Sequence, residues 1–173
     1  MNPILKKISG VLLCCLAFGS AQAQQKDNGK CRYTKTPEGW LMVLREGDNV
    51  IALLENLARE QQIPSAHFTG IGFAQQAVFG FYDFEKKKFK PKTFYKVEMS
   101  NLTGSIAWSG NNPSIHMHGT ATDKTFKAYG GHILSLAVGT GSMEIYITVY
   151  TEKLERKKEQ PLDANVLQLP CIE

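Results

Sequence analysis

His116 and His118 are two residues apart, so on a strand they project from one face while Met117 points to the other. A third histidine, His132, follows Gly130-Gly131. Between them, Asp123-Lys124-Thr125 has the composition of a turn. A chain folding back symmetrically there sets His118 opposite His132 on the neighbouring strand, with Cβ atoms about 5 Å apart. Three imidazoles on one face, with no evident fourth protein ligand, make the pattern of an open zinc-type site. Zn2+ held in this way lowers the pKa of a bound water to about 7 or polarises a carbonyl. Neutral imidazole also suits nickel, copper and iron, so the expected cofactor is a divalent transition metal of zinc-like preference. The competing reading is a set of surface histidines on a half-exposed strand.

Other residues bear on chemistry less directly. Glu98 and Glu144 fall within apolar strands, where a carboxylate needs a partner. Each is a candidate acid or base beside the metal, or an acceptor for a ligand histidine's second N–H; structural pairing is the simpler role. Tyr129 stands just before the glycine pair, where its hydroxyl could reach a ligand. His67 precedes Phe68 on a strand expected to be buried, and reads as packed or interfacial. Gly70-Ile71-Gly72 opens like a dinucleotide fingerprint, but no third glycine arrives in register. Those glycines read instead as positions of close backbone approach. No Gly-x-Ser-x-Gly elbow is present, which argues against a serine hydrolase of that type.

The elements that must position these residues are mostly strands. Residues 32–36 and 40–45 read as strands around a Pro37-Glu38-Gly39 turn. Val50, Leu53, Leu54, Leu57 and Ala58 recur at three- and four-residue spacing, which predicts an amphipathic helix over 49–62 with Asp48 as its N-cap and Pro64 beyond its end. Strands are expected over 68–73, 76–84, 94–99, 102–108, 115–122, 131–138 and 143–150. Lys86 to Lys92 forms a basic hairpin loop, and the mixed charges of 152–160 read as a solvated surface segment. There is no internal repeat, no low-complexity tract and no second domain in the pattern.

The first 23 residues read as a signal peptide. Lys6 and Lys7 form a positive start, Val11 to Phe18 is a short apolar run, and Ala21-Gln22-Ala23 is a small-residue cleavage site. The apolar run is shorter than the roughly 20 residues a membrane span needs. The expected mature chain starts at Gln24, is exported to the periplasm or beyond, and forms one domain over 24–173. Losing two lysines takes the formal charge from +4 to +2, too small a bias to argue for nucleic acid. Cys14 and Cys15 leave with the leader, so Cys31 and Cys171 remain near the two ends. In an oxidising compartment they are expected to bridge, closing a loop that stabilises by up to about 5 kcal/mol; two unpaired thiols are the alternative.

Several words in order resemble the PPC (plants-and-prokaryotes-conserved) domain family. They are Gly47-Asp48-Asn49-Val50 leading into a helix that ends at Leu57 to Gln61, Thr69 to Phe73 with Gly80 to Asp83, Leu102-Thr103-Gly104-Ser105-Ile106, Ile115-His116-Met117-His118, Gly130 to Ile133, and Met143 to Ile147. The resemblance spans about residues 32–151. One departure is Thr122 to Phe126, where members often carry an Asp-x-Gly turn. The resemblance implies an α+β fold, a mostly antiparallel β-sheet flanked by helices, usually assembled as a homotrimer. It extends to the wider group that includes acetolactate decarboxylase, whose zinc is held by a His-x-His pair and a later histidine. Carried over, that set falls on His116, His118 and His132.

Two function classes follow. One is an exported metal-site protein acting on a small molecule, with a zinc-dependent lyase or hydrolase as its enzymatic form. The other is a nucleic-acid-binding module, as DNA-binding labels in the family suggest. Against the second stand the missing Arg-Gly-Arg-Pro hook and the expected export, which takes the chain away from DNA.

Overall fold

The computed structural model describes residues 26–27 and 30–170, with side chains over 32–170. The expected signal peptide and the expected Cys31–Cys171 bridge therefore fall on residues outside the described ones. The strands are β1 (Lys26–Asp27), β2 (Lys30–Cys31), β3 (Tyr33–Thr36), β4 (Gly39–Arg45), β5 (Ser65–Asp83), β6 (Lys88–Ser109), β7 (Asn112–Thr122), β8 (Ala128–Tyr150), β9 (Glu155–Glu159) and β10 (Ala164–Gln168). The helix α1 (Val50–Glu60) stands between β4 and β5. The expectation of a mostly antiparallel sheet holds, flanked by one helix among the described residues.

Three strands are far longer than their periodicity suggests. β5, β6 and β8 each continue through what reads as two strands, because β-bulges keep pairing alive where alternation breaks. Register shifts fall between Gly70 and Gly72 on β5, and between Met99 and Asn101 on β6. A bulge adds a residue and bends the strand without ending it. β5 pairs β6, β6 pairs β7, β7 pairs β8, and β8 returns to β5, so these four long strands close on themselves. β4 and β3 extend the sheet beyond β8, and β9 and β10 extend it beyond β6. Gly70 and Gly72 are close-approach positions: an added Cβ would stand 2.6 Å from the Glu144 carbonyl oxygen and 2.5 Å from that of Ser142.

The core lies between α1 and the inner face of this sheet. Val50, Leu53, Leu54, Leu57 and Ala58 of the helix are buried. They pack toward β7 and β8, within a core that includes Phe68, Leu102, Met117, Leu136 and Ile145. Each large apolar side chain buried there contributes roughly 1.5–3 kcal/mol. The helix cap differs from the sequence expectation. Asn49 is the N-cap, its side chain accepting from the Ala52 N–H at 3.0 Å. Asp48 instead pairs with Arg32 at 3.0 Å and accepts the Arg45 N–H at 2.9 Å. Two adjacent residues can each cap, and the one whose carboxylate has a cation to meet is drawn away.

The 152–160 segment also departs from expectation. Its middle is β9, and Arg156 there is 4% exposed. The basic hairpin turns over 84–87, and Lys88 to Lys92 belong to β6.

Candidate metal centre

The His118–His132 pairing inferred from the turn is present: they are register partners across β7 and β8. The turn rests on Asp123, whose carboxylate accepts from the Thr125 N–H at 2.8 Å, the Thr125 hydroxyl at 2.6 Å and the Tyr129 hydroxyl at 3.0 Å. Those bonds hold its carboxyl down at about 2, Thr125 contributing most. Phe126 takes the left-handed conformation, at φ 63°, that a glycine would otherwise occupy.

His116 and His118 leave the outer face of β7, while Met117 between them is buried. The three ring centroids form a nearly even triangle with sides of 5.2, 5.1 and 5.1 Å. One ligand nitrogen from each ring lies within 4.8 Å of the other two. The Nε2 atoms of His116 and His118 are 3.2 Å apart. Two nitrogens bound at about 2.05 Å to a tetrahedral zinc stand about 3.3 Å apart, so this spacing fits a shared ion. Two imidazolium charges about 5 Å apart would repel by roughly 3 kcal/mol at an effective dielectric of about 20. That repulsion and burial favour neutral imidazole at His116 and His132. Burial is the first cause that lowers His132, to about 4, followed by His116 and His118. Burial also leads for His116, followed by Arg156 and His118.

The triangle lines a pocket of about 560 Å³. Phe89 of β6 stacks on His132 at 4.6 Å, and Tyr82 and Phe84 extend that apolar wall. Arg156, Lys158 and Asn165 of the β9–β10 hairpin make another wall. Arg156 Nη2 donates to Ser105 Oγ at 2.6 Å, and burial lowers its pKa. Nothing in the sequence flags Arg156, because the charges flanking it conceal a buried position. Phe89 hides equally well inside the basic run.

The remaining candidates lie elsewhere. Glu98 is exposed on β6 opposite Thr122, and Glu144 sits on β8 opposite Ile71, accepting from the Tyr146 hydroxyl at 3.4 Å. Neither lines the histidine pocket. Tyr129 pairs with Ala121, three residues beyond His118, so its ring falls on the opposite face of the ladder, against Phe94. Burial, then Asp123, raise its hydroxyl pKa. His67 is exposed rather than buried, and its Nδ1 is 3.0 Å from the Tyr150 hydroxyl.

A bent, self-closing, mostly antiparallel sheet, flanked by one helix among the described residues and carrying a three-imidazole cluster on its outer face, defines the class of this molecule. The chain belongs to the Plants and Prokaryotes Conserved (PCC) domain family, whose pattern matches residues 32–151. It is similar to a provisionally named DNA-binding protein from Ralstonia eutropha JMP134, with 60% identity, 80% of this chain and 96% of that one covered, and a TM-score of 0.79. A metal-containing protein from Archaeoglobus fulgidus is 27% identical, with 75% and 91% covered and a TM-score of 0.67. The likeness to α-acetolactate decarboxylase from Bacillus subtilis strain 168 is distant: 12% identity, 69% of this chain and 55% of that one, TM-score 0.51. That shows a shared fold alone. No curated protein matches the chain significantly.

Proposed function

We propose that this is an exported protein in which His116, His118 and His132 hold one zinc-like divalent ion and present it to a small molecule. One observation carries the reading: three ligand nitrogens converge within 4.8 Å on the wall of a pocket large enough for a small molecule. The metal-containing relative supports it. When bound, such an ion supplies Lewis acidity or a water that ionises near neutrality. The chain's own residues would orient the ligand against it, with Phe89 fixing the His132 ring and the apolar wall excluding water. A lyase or hydrolase is the catalytic form of this function, and a binding protein is its other form.

The test is metal analysis of the mature protein after dialysis against zinc near neutral pH. About one ion per chain is expected, and none would overturn the reading. Export rests on the composition of residues 1–23, and a secreted form beginning at Gln24 is the expected product. A homotrimer is the proposed assembly, supported by the exposed outer-face residues Ile71, Tyr146 and Tyr150; a monomer mass by light scattering would refute it. The name of the Ralstonia relative favours nucleic acid as a second reading, and salt-resistant binding to duplex DNA would be required to establish it.

A further inference from the structure

The histidine pocket contains a buried cation that metal binding does not use. Arg156 comes from β9, beyond the family-matched residues, and is 4% exposed. A guanidinium offers five N–H donors and stays charged. Nη2 meets Ser105 Oγ at 2.6 Å, Nη1 meets the Ser114 carbonyl oxygen at 3.4 Å, and Nε is buried with no partner. Both acceptors are neutral, and no carboxylate pairs with Arg156 among the described residues. A charge held this way is costly unless something completes it. Lys158, two residues on, is the contrast: mostly exposed, yet paired with Asp163 at 3.0 Å.

The placement is specific. Ser105 is the register partner of His116, so the guanidinium docks beside the first histidine. The Tyr82 hydroxyl donates to the Leu162 carbonyl at 3.1 Å, which ties the β9–β10 turn to β5 and fixes this hairpin as a pocket wall. Phe89, Tyr82 and Phe84 line the same pocket as Arg156.

We propose that the pocket takes a small organic carboxylate, its carboxylate paired with Arg156 and a neighbouring oxygen turned to the three-histidine centre. The planar fork of arginine matches a carboxylate in two parallel hydrogen bonds. The aromatic wall favours an organic body over a bare inorganic anion. The inference rests on the metal reading above, and its test separates the two.

The probes are glycolate, its neutral amide glycolamide, and inorganic phosphate, titrated into the cobalt(II)-loaded mature chain by calorimetry and visible absorption. Glycolate is expected to bind at least tenfold tighter than glycolamide. Arg156→Gln should erase that preference while leaving cobalt stoichiometry unchanged. Wild type without the preference, a variant that keeps it, or phosphate binding tighter than glycolate would each overturn the proposal. If Arg156→Gln does not fold, the Arg156 side-chain 15N resonance of the wild type decides. It should shift with glycolate and not with glycolamide; no shift overturns the carboxylate site. If the wild type takes no cobalt, the metal reading fails separately, and the same resonance in the metal-free protein decides the anion site.

Discussion

Ser105 on β6 faces His116 on β7, and its hydroxyl receives the buried guanidinium of Arg156 at 2.6 Å. Arg156 also reaches the Ser114 carbonyl of β7 at 3.4 Å, so its guanidinium ties the β9–β10 hairpin to both β6 and the histidine strand. A hydrogen bond to a charged group contributes about 1.5–3 kcal/mol, and its loss leaves Arg156 with only the longer bond to Ser114. Ser105→Ala is therefore expected to destabilise the fold by about 2 kcal/mol in urea unfolding. Ser105→Thr, which keeps the hydroxyl, should recover most of that loss.

The proposed metal site should be separable from the fold. His118 is exposed, and the core is built from the other face of β7 through Met117, Gly119 and Ala121. Removing its imidazole opens no core cavity. His118→Ala should lower bound zinc from about one ion per chain to near none, while stability in the metal-free state changes by less than about 0.5 kcal/mol. Parallel metal analysis and denaturant unfolding check both halves.

Asn49 takes the capping role expected of Asp48, and Asp48 turns instead to Arg32 and the Arg45 N–H. Asn49→Ala removes the cap on the Ala52 N–H and should cost about 1 kcal/mol. Asp48→Ala should act instead through its contacts with Arg32 and the Arg45 N–H. Helical signal lost early in thermal melts of the Asn49 variant, and not of the Asp48 variant, would distinguish the roles.

What the sequence disclosed follows from which patterns are local. The His116–His118 face, the turn at Asp123 and the register of His132 are short-range consequences of strand period and one reversal, so they were legible. So was α1, from five apolar residues at helical spacing. The lengths of β5, β6 and β8 were not, because a bulge interrupts alternation in the sequence without interrupting the ladder. Arg156 was hidden for another reason. Its burial depends on a hairpin returning across β6 to reach Ser105, a contact 51 residues distant that no local charge pattern encodes.

The Asp123 turn gives a pH dependence. Its carboxyl sits at about 2 in the folded chain, below the unfolded value of 3.8, chiefly through the Thr125 hydroxyl. A depressed carboxyl stabilises the fold above the unfolded pKa, and that contribution is lost as pH falls through the folded one. Melting temperature should therefore drop between about pH 4 and pH 2. Asp123→Asn should melt lower at pH 7 and show a shallower decline over that acid range. An identical acid profile in the variant would remove Asp123 as a cause.

Gly104 tests whether the centre depends on how closely two strands approach. It lies on β6 opposite Met117. A Cβ built there would stand 2.4 Å from the His116 carbonyl oxygen and 2.5 Å from Phe68 Cζ. The first neighbour is backbone, and the second is a ring fully buried in the core. Neither can move aside cheaply, so Gly104→Ala must push β7 away from β6. Overpacking of this kind typically costs about 1–3 kcal/mol. Because His116 rides on the displaced backbone, its Nε2 should leave the 3.2 Å spacing from His118. Zinc affinity should then fall at least tenfold in a protein that still folds. Competition with a chromophoric chelator measures that change, and unaltered affinity would show that the histidines gather independently of the strand spacing.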